Sequence, residues 1–151
     1  MSFGSNAGIK EGLPVNLSNA VAAGTSLITT NVIDLGQGGG FNSIAMLALL
    51  GAVVDTAQVT VTAYGSTASD GSNPVSLGAS STIAMTNAAN SNTVLAAQVI
   101  RTSYRYVYFT ITRATANTTL QGAIGFLNEC RQYPPNFSGL VGGKIHTILG
   151  N

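Results

Sequence analysis

The sequence predicts an all-β protein, a single domain built as an antiparallel β-sandwich of the jelly-roll kind with an extended arm at each end. Two observations predict this fold class. Roughly seven or eight short segments rich in β-branched residues recur at intervals of about 8–12 residues. Turn-forming Gly, Asn, Asp and Pro separate them, and no long amphipathic helix is visible.

The first third of the chain contains an arm and two strand regions. Residues 1–26, rich in Gly, Asn and Ser, predict an arm that enters a strand only near Val15–Leu17. Residues 27–36, LITTNVIDLG, are β-branched, and the glycine-rich residues 36–40 predict a turn. Residues 41–50, FNSIAMLALL, fit a strand or a buried helix by periodicity, and the flanking glycines favour the strand.

The middle of the chain continues the β pattern. In AQVTVTAYG the residues Val59, Val61 and Ala63 share one face, and Thr60, Thr62 and Tyr64 share the other. Further strands are predicted at Val75–Leu77, Ser81–Met85, Thr93–Ile100, 102–113 and 120–130. Residues 134–151, with a Pro-Pro and a Gly-Gly pair, predict a second arm, so the predicted sandwich domain spans residues 27–133.

The segment RTSYRYVYFTITRA, residues 101–114, contains three of the five tyrosines and three of the six Lys and Arg residues. As a strand it has an apolar face, Val107, Phe109 and Ile111, with Arg105 and Arg113 at its ends. Its other face presents Tyr104, Tyr106 and Tyr108, followed by two threonines.

This tyrosine stripe predicts a protein interface. Tyrosine and arginine are enriched at protein–protein contacts. We expect Tyr104, Tyr106 and Tyr108 to make contact, with Arg101, Arg105 and Arg113 as rim or polar anchors. Two alternatives remain open: ordinary cross-strand tyrosines on a sheet face, and aromatic stacking on nucleic acid bases.

Charge supports the interface reading over nucleic acid or membrane binding. Charged residues make up 7% of the chain and the net charge is +1, whereas a soluble domain typically has about 25% charged residues. The chain therefore lacks the basic surface expected for nucleic acid or an anionic membrane. A surface this poor in charge favours association, which predicts a homo-oligomer.

The sequence predicts no enzyme, no cofactor and no metal site. Cys130 and the single histidine, His146, would be needed as a thiol–imidazole pair, but Cys130 lies between Glu129 and Arg131 and is interpreted as an inert thiol. The five acidic residues show none of the short spacings typical of metal sites. GQGGGF lacks the Gly-Lys-Ser/Thr ending of a phosphate loop.

The sequence predicts neither a secretory signal peptide nor a membrane-spanning helix. The N-terminal residues show no basic and apolar signal region, and the longest apolar run, residues 44–54, is shorter than the ~20 residues of a membrane span. One cysteine excludes an intramolecular disulfide. We expect synthesis in a reducing cytoplasm.

Four segments resemble a group of small virion proteins of tailed bacteriophages. The pattern consists of VIDLG at Val32–Gly36, FNS at Phe41–Ser43, V-x-D-T-A at Val53–Ala57, and R-Y-V-x-x-x-I-x-R-A-T-A-N at Arg105–Asn117. The resemblance covers about residues 30–128 and does not include the two predicted arms.

The resemblance implies a structural head protein without catalytic activity. Such proteins act as cement or decoration proteins that bind the major capsid protein on the outside of the shell as dimers or trimers, here in virions assembled in the host cytoplasm. The alternatives are a tail-tube or head–tail connector subunit, and a carbohydrate-binding receptor-recognition module with a tyrosine platform. The arms are expected to reach adjacent subunits.

Overall fold

The computed structural model describes residues 13–36, 41–128 and 144–149, which form two β-sheets packed face to face. The strands are β1 (Leu13–Ser18), β2 (Val21–Gly24), β3 (Ile28–Thr29), β4 (Ile33–Asp34), β5 (Ser43–Val53), β6 (Gln58–Ser66), β7 (Val75–Ala79), β8 (Ile83–Ala84), β9 (Val94–Ile100), β10 (Tyr106–Ala114), β11 (Thr118–Asn128) and β12 (Lys144–Leu149). A single-turn helix, α1 (Asn87–Asn90), precedes β9. No helix within the described ranges is long and apolar enough to cross a membrane.

The two sheets have different strand orders. Sheet A has the order β1-β11-β5-β9-β12, with β2 also paired to β11. Sheet B has the order β3-β10-β6-β7, with β4 paired to β10 and β8 paired to β6. Every pair is antiparallel except β12 with β9, which is parallel. The predicted all-β antiparallel sandwich is confirmed.

Apolar and polar residues alternate along the strands of sheet B, and the apolar ones form its inner face. On β6, Val59, Val61 and Ala63 are fully buried. The register places Ala63 opposite Phe109 and Val61 opposite Ile111 of β10, so apolar side chains from both strands fill the space between the sheets. The faces predicted for the middle of β10 are confirmed by the burial of Val107, Phe109 and Ile111.

β5 lies in the middle of sheet A, between β11 and β9. Ile44, Met46 and Ala48 point into the core, whereas Leu47 and Leu49 lie on the outer face. Both edges of β5 are paired, so its backbone groups can form hydrogen bonds within the sheet. The strand predicted for FNSIAMLALL is confirmed, and it begins at Ser43.

The described parts of both predicted arms are strands of sheet A. β1 and β2 pair with β11, and Leu17 of β1 is fully buried in the core. β12, within the predicted C-terminal arm, pairs with β9. The sandwich therefore includes residues 13–24, which the predicted domain left out, because Val15 and Leu17 of β1 pack into the core. The rest of each predicted arm lies outside the described residues.

Candidate functional site

The outer face of sheet B carries three half-buried tyrosines, Tyr64, Tyr106 and Tyr108, which we call the tyrosine face. Tyr64 on β6 and Tyr108 on β10 are directly opposite each other. Their rings stack with centroids 5.2 Å apart and planes inclined by 17°. Tyr106 lies two residues along β10 on the same side. The three rings provide a flat surface that is apolar in its body and polar at its hydroxyl tips.

The interface prediction did not include Tyr64. Its signal was present in the sequence, since the alternation of β6 places Tyr64 on the face away from Val59, Val61 and Ala63. What the sequence could not supply is the register between β6 and β10, which brings Tyr64 against Tyr108.

A tight turn packs against one side of Tyr108. Gly71 has a positive φ of 75°, and a methyl group added there would lie 2.9 Å from Val32 Cγ2 and 3.3 Å from Tyr108 Cε1. Asp70 fixes this turn by accepting a hydrogen bond from the Ser72 backbone N–H. Burial, followed by the neighbouring Tyr64, raises the pKa of Tyr108. The hydroxyl at the centre of the tyrosine face therefore stays neutral under ordinary conditions.

A bidentate ion pair borders the tyrosine face. Arg105 donates from Nε to Asp34 Oδ1 at 2.9 Å and from Nη2 to Asp34 Oδ2 at 3.0 Å. The guanidinium carbon also lies 5.3 Å from the Tyr106 ring centroid, within cation–π range. The hydrogen bond from Arg105, and a backbone hydrogen bond from Gly36, hold the pKa of Asp34 below its usual value. This charge at the border is thus neutralised by its partner.

Tyr104 does not belong to the tyrosine face, so the predicted stripe of three successive tyrosines is wrong at this position. The chain turns before β10, where the Tyr104 backbone N–H donates to Thr102 Oγ1 at 3.2 Å. The Tyr104 ring packs against the core on the inner side of sheet B. Gly65 makes room for it, because a methyl group on Gly65 would lie 2.5 Å from Tyr104 Cγ.

Arg113 is buried rather than placed at the rim, with 4% of its surface exposed. It donates to the carbonyl oxygens of Ser26, Ala22 and Thr118. Burial lowers the pKa of this arginine. Because β10 is in sheet B whereas β2 and β11 are in sheet A, the Arg113 guanidinium joins the two sheets. The prediction that Arg113 is a rim or polar anchor of an interface is corrected accordingly.

Arg101 is exposed but follows β9 of sheet A. Its backbone N–H donates to Ser43 Oγ at 3.1 Å, and its φ is positive, 55°. The guanidinium of Arg105 lies against a ring of the tyrosine face, that of Tyr106.

Threonines extend the tyrosine face along sheet B. The register pairs Thr110 with both Thr62 and Thr29, and pairs Thr112 with Thr60. Thr60 Oγ1 also lies 3.0 Å from Thr82 Oγ1. The outer face of sheet B therefore has aromatic rings at one end and threonines at the other, of which Thr112 is exposed and Thr110 is buried. Such a surface offers apolar area and neutral hydrogen-bonding groups.

A shallow groove of about 390 Å³ lies on the outer face of sheet A. Its apolar lining comes from Leu47, Leu49, Val94 and Ile124. Leu49 and Ile124 are 41% and 45% exposed. The sandwich thus has a second apolar surface on the side opposite the tyrosine face.

The described ranges contain no group of three His, Cys, Asp or Glu residues that could hold a metal ion. Cys130 lies outside those ranges, and His146 is described only by its backbone pairing with Ala97. The predictions of no catalytic, cofactor or metal site stay predictions.

Comparison with known proteins finds a structural relative. The PBSX exported protein XepA superposes with a TM-score of 0.55 and 12% sequence identity over 83% of this chain. No family model matches the sequence, and no curated protein matches it significantly. The chain spans 40% of the length of XepA. At this level of identity, the likeness shows that the two proteins share a sandwich fold.

Proposed function

We propose that this chain is a structural protein of a bacteriophage particle that binds the outside of the capsid shell as a cement or decoration protein. The tyrosine face would contact the major capsid protein. The observation that carries the proposal is the stacked pair of Tyr64 and Tyr108, an aromatic surface fixed by cross-strand register and left half-exposed in the single chain. Rigid tyrosines supply contact area at low entropic cost.

The fold supports the phage part of the proposal. XepA belongs to PBSX, a phage-like element, and shares the sandwich. The resemblance of the VIDLG, FNS, V-x-D-T-A and R-Y-V segments to small virion proteins points in the same direction. The sequence resemblance covers about residues 30–128, and the structural likeness covers 83% of the chain.

The composition supports a role in a repeating assembly. A chain with 7% charged residues leaves neutral and apolar surface exposed as a monomer. In a lattice of many copies these surfaces are covered by neighbours, and modest contacts are multiplied by avidity. We infer that the protein acts as a homo-oligomer within virions assembled in the host cytoplasm.

Binding to empty shells of the matching major capsid protein tests the proposed contact. A variant with Tyr64→Ser, Tyr106→Ser and Tyr108→Ser should bind at least about tenfold more weakly, because buried tyrosines at interfaces each contribute on the order of 1 kcal/mol or more. Tyr104 is left intact because it packs against the core.

The matched control removes exposed apolar side chains from the other side of the sandwich. Leu49→Ser combined with Ile124→Ser should leave shell binding unchanged. Circular dichroism and urea unfolding would establish that both variants fold. Full binding by the folded tyrosine variant would refute the proposed contact. The number of copies per particle is a separate measurement, and a number matching a single ring would favour a tail or connector subunit.

A further inference from the structure

The edges of the two sheets differ in how well they are protected from pairing with another chain. An open sheet edge presents unpaired backbone N–H and C=O groups, and proteins protect such edges with proline, with bulges or with very short strands. In the described ranges, sheet A ends at β1 with β2 and at β12, and sheet B ends at β3 with β4 and at β7 with β8.

Three of these edges carry such protection. β1 contains Pro14 and has an irregular register between Asn16 and Ser18. The Asn31 backbone N–H also donates to the carbonyl oxygen of Leu17 in β1 at 2.7 Å. In sheet B, β3, β4 and β8 are two residues long, and the pairing of β7 with β6 contains a register shift. These edges therefore offer no long regular strand to a partner.

The β12 edge has none of these three features. Its six residues, KIHTIL, pair with β9 in a continuous parallel register from Lys144 to Leu149. The strand contains no proline, and Ile145, Thr147 and Ile148 are β-branched residues that favour strands. Within the described part of the chain, β12 pairs with β9 on one side and with no strand on the other. It is therefore the edge best suited to receive a further strand.

The charge pattern of β12 suits pairing with a second copy of itself. Lys144 is its only residue charged at neutral pH, and it stands at the first position. Antiparallel pairing places the two copies of Lys144 at opposite ends of the joint, whereas parallel pairing in register would place like charges side by side, which is destabilising. A twofold antiparallel contact also closes on itself, so that it yields a dimer rather than a filament.

The orientation of such a dimer suits binding to a surface. Two antiparallel strands in one sheet are related by a twofold axis perpendicular to that sheet, so both copies turn the same face the same way. Because sheet B packs face to face on sheet A, the two tyrosine faces would lie on one side of the dimer. Both copies could then contact one shell, and their binding would be strengthened by avidity.

We propose that two copies of this chain join through β12, paired antiparallel about a twofold axis perpendicular to the sheets. Each copy keeps its own β12–β9 pairing, and sheet A continues across the joint. The choice of a second copy as the partner rests on the proposed function, which requires both tyrosine faces on one side. Twofold symmetry places one residue of β12 opposite the same residue of the second copy, and in the middle of the strand this is His146 or Thr147.

Sedimentation equilibrium of the full-length protein and disulfide trapping test the joint. The protein should sediment with twice the mass of one chain. In a Cys130→Ser background, either His146→Cys or Thr147→Cys should form a covalent dimer on oxidation. Ser76→Cys in the same background is the matched control, because Ser76 is exposed on the edge strand β7 and should give no covalent dimer.

Proline variants test the backbone contact itself. Neighbouring residues of a strand direct their N–H groups to opposite edges, so one of His146→Pro and Thr147→Pro removes a donor from the open edge and the other removes a donor from the β9 side. Proline is tolerated where its missing N–H would face outward. The first variant should keep the urea unfolding midpoint of the parent but raise the dissociation constant of the dimer at least about tenfold.

A monomeric parent protein would overturn the proposal. A dimer that forms neither disulfide, or that is unchanged in both proline variants, would place the contact elsewhere and overturn it too. Shell binding is measured separately. Monomers that bind shells would remove the β12 joint and leave the capsid role intact, whereas dimers that do not bind shells would remove the capsid role and leave the joint.

Discussion

The buried guanidinium of Arg113 holds one end of the sandwich together. Its donors reach carbonyl oxygens in β2, in the turn after β2, and in β11. The planar group presents several donors in fixed directions, so one side chain satisfies three backbone acceptors. From the sequence, Arg113 was indistinguishable from an arginine extending to the rim, because only the packing of the two sheets brings these carbonyls around it.

Replacing Arg113 with Met should lower the free energy of unfolding by about 2–3 kcal/mol, because three backbone acceptors lose their donor. Urea unfolding measures the change. Arg105→Met is the control, since its ion pair is on the surface and such pairs contribute little. Equal losses for the two variants would contradict the bridging role of Arg113.

At the scale of strands, the sequence alone identified most of the β segments and the inner faces of β6 and β10. The alternation of apolar and polar residues was sufficient to identify these faces, because successive side chains along a strand point to opposite sides of the sheet. Two errors about the candidate site remained, one from cross-strand register, which is a tertiary property, and one from the point at which β10 begins. Tyr64 was missed, and Tyr104 was placed on the outer face although Thr102 turns the chain before β10 begins.

Gly65 on β6 provides a direct test of this arrangement. Gly65→Ala should destabilise the protein by about 1–3 kcal/mol, because the added methyl group overlaps the Tyr104 ring. In a Tyr104→Ala background, Gly65→Ala should lower the free energy of unfolding by at least about 1 kcal/mol less than it does in the parent protein.

Tyr108→Ala is the control background for this comparison of single and double variants, since Tyr108 lies on the opposite face of sheet B. There, Gly65→Ala should cost the same as in the parent protein. Additive effects of Gly65→Ala and Tyr104→Ala in urea unfolding would mean that the Tyr104 ring does not occupy this position.

At the scale of the whole molecule, the scarcity of charge determines how the protein should respond to salt. The tyrosine face combines aromatic rings and hydroxyl groups with a border arginine that is already paired with Asp34. If this face makes the main contact, shell binding should change less than about threefold between about 0.1 M and about 0.5 M NaCl, since screening acts on unpaired charges. A titration of bound protein against salt measures this, and a tenfold or greater loss would indicate that charged groups dominate the contact.

The groove on sheet A has a consequence for a coated particle. Leu49 and Ile124 lie on the side of the sandwich away from the tyrosines. A copy that docks through sheet B would therefore leave this apolar groove exposed to the solvent. If the protein coats a shell as proposed, these apolar grooves would repeat across the outer surface at the spacing of the bound copies.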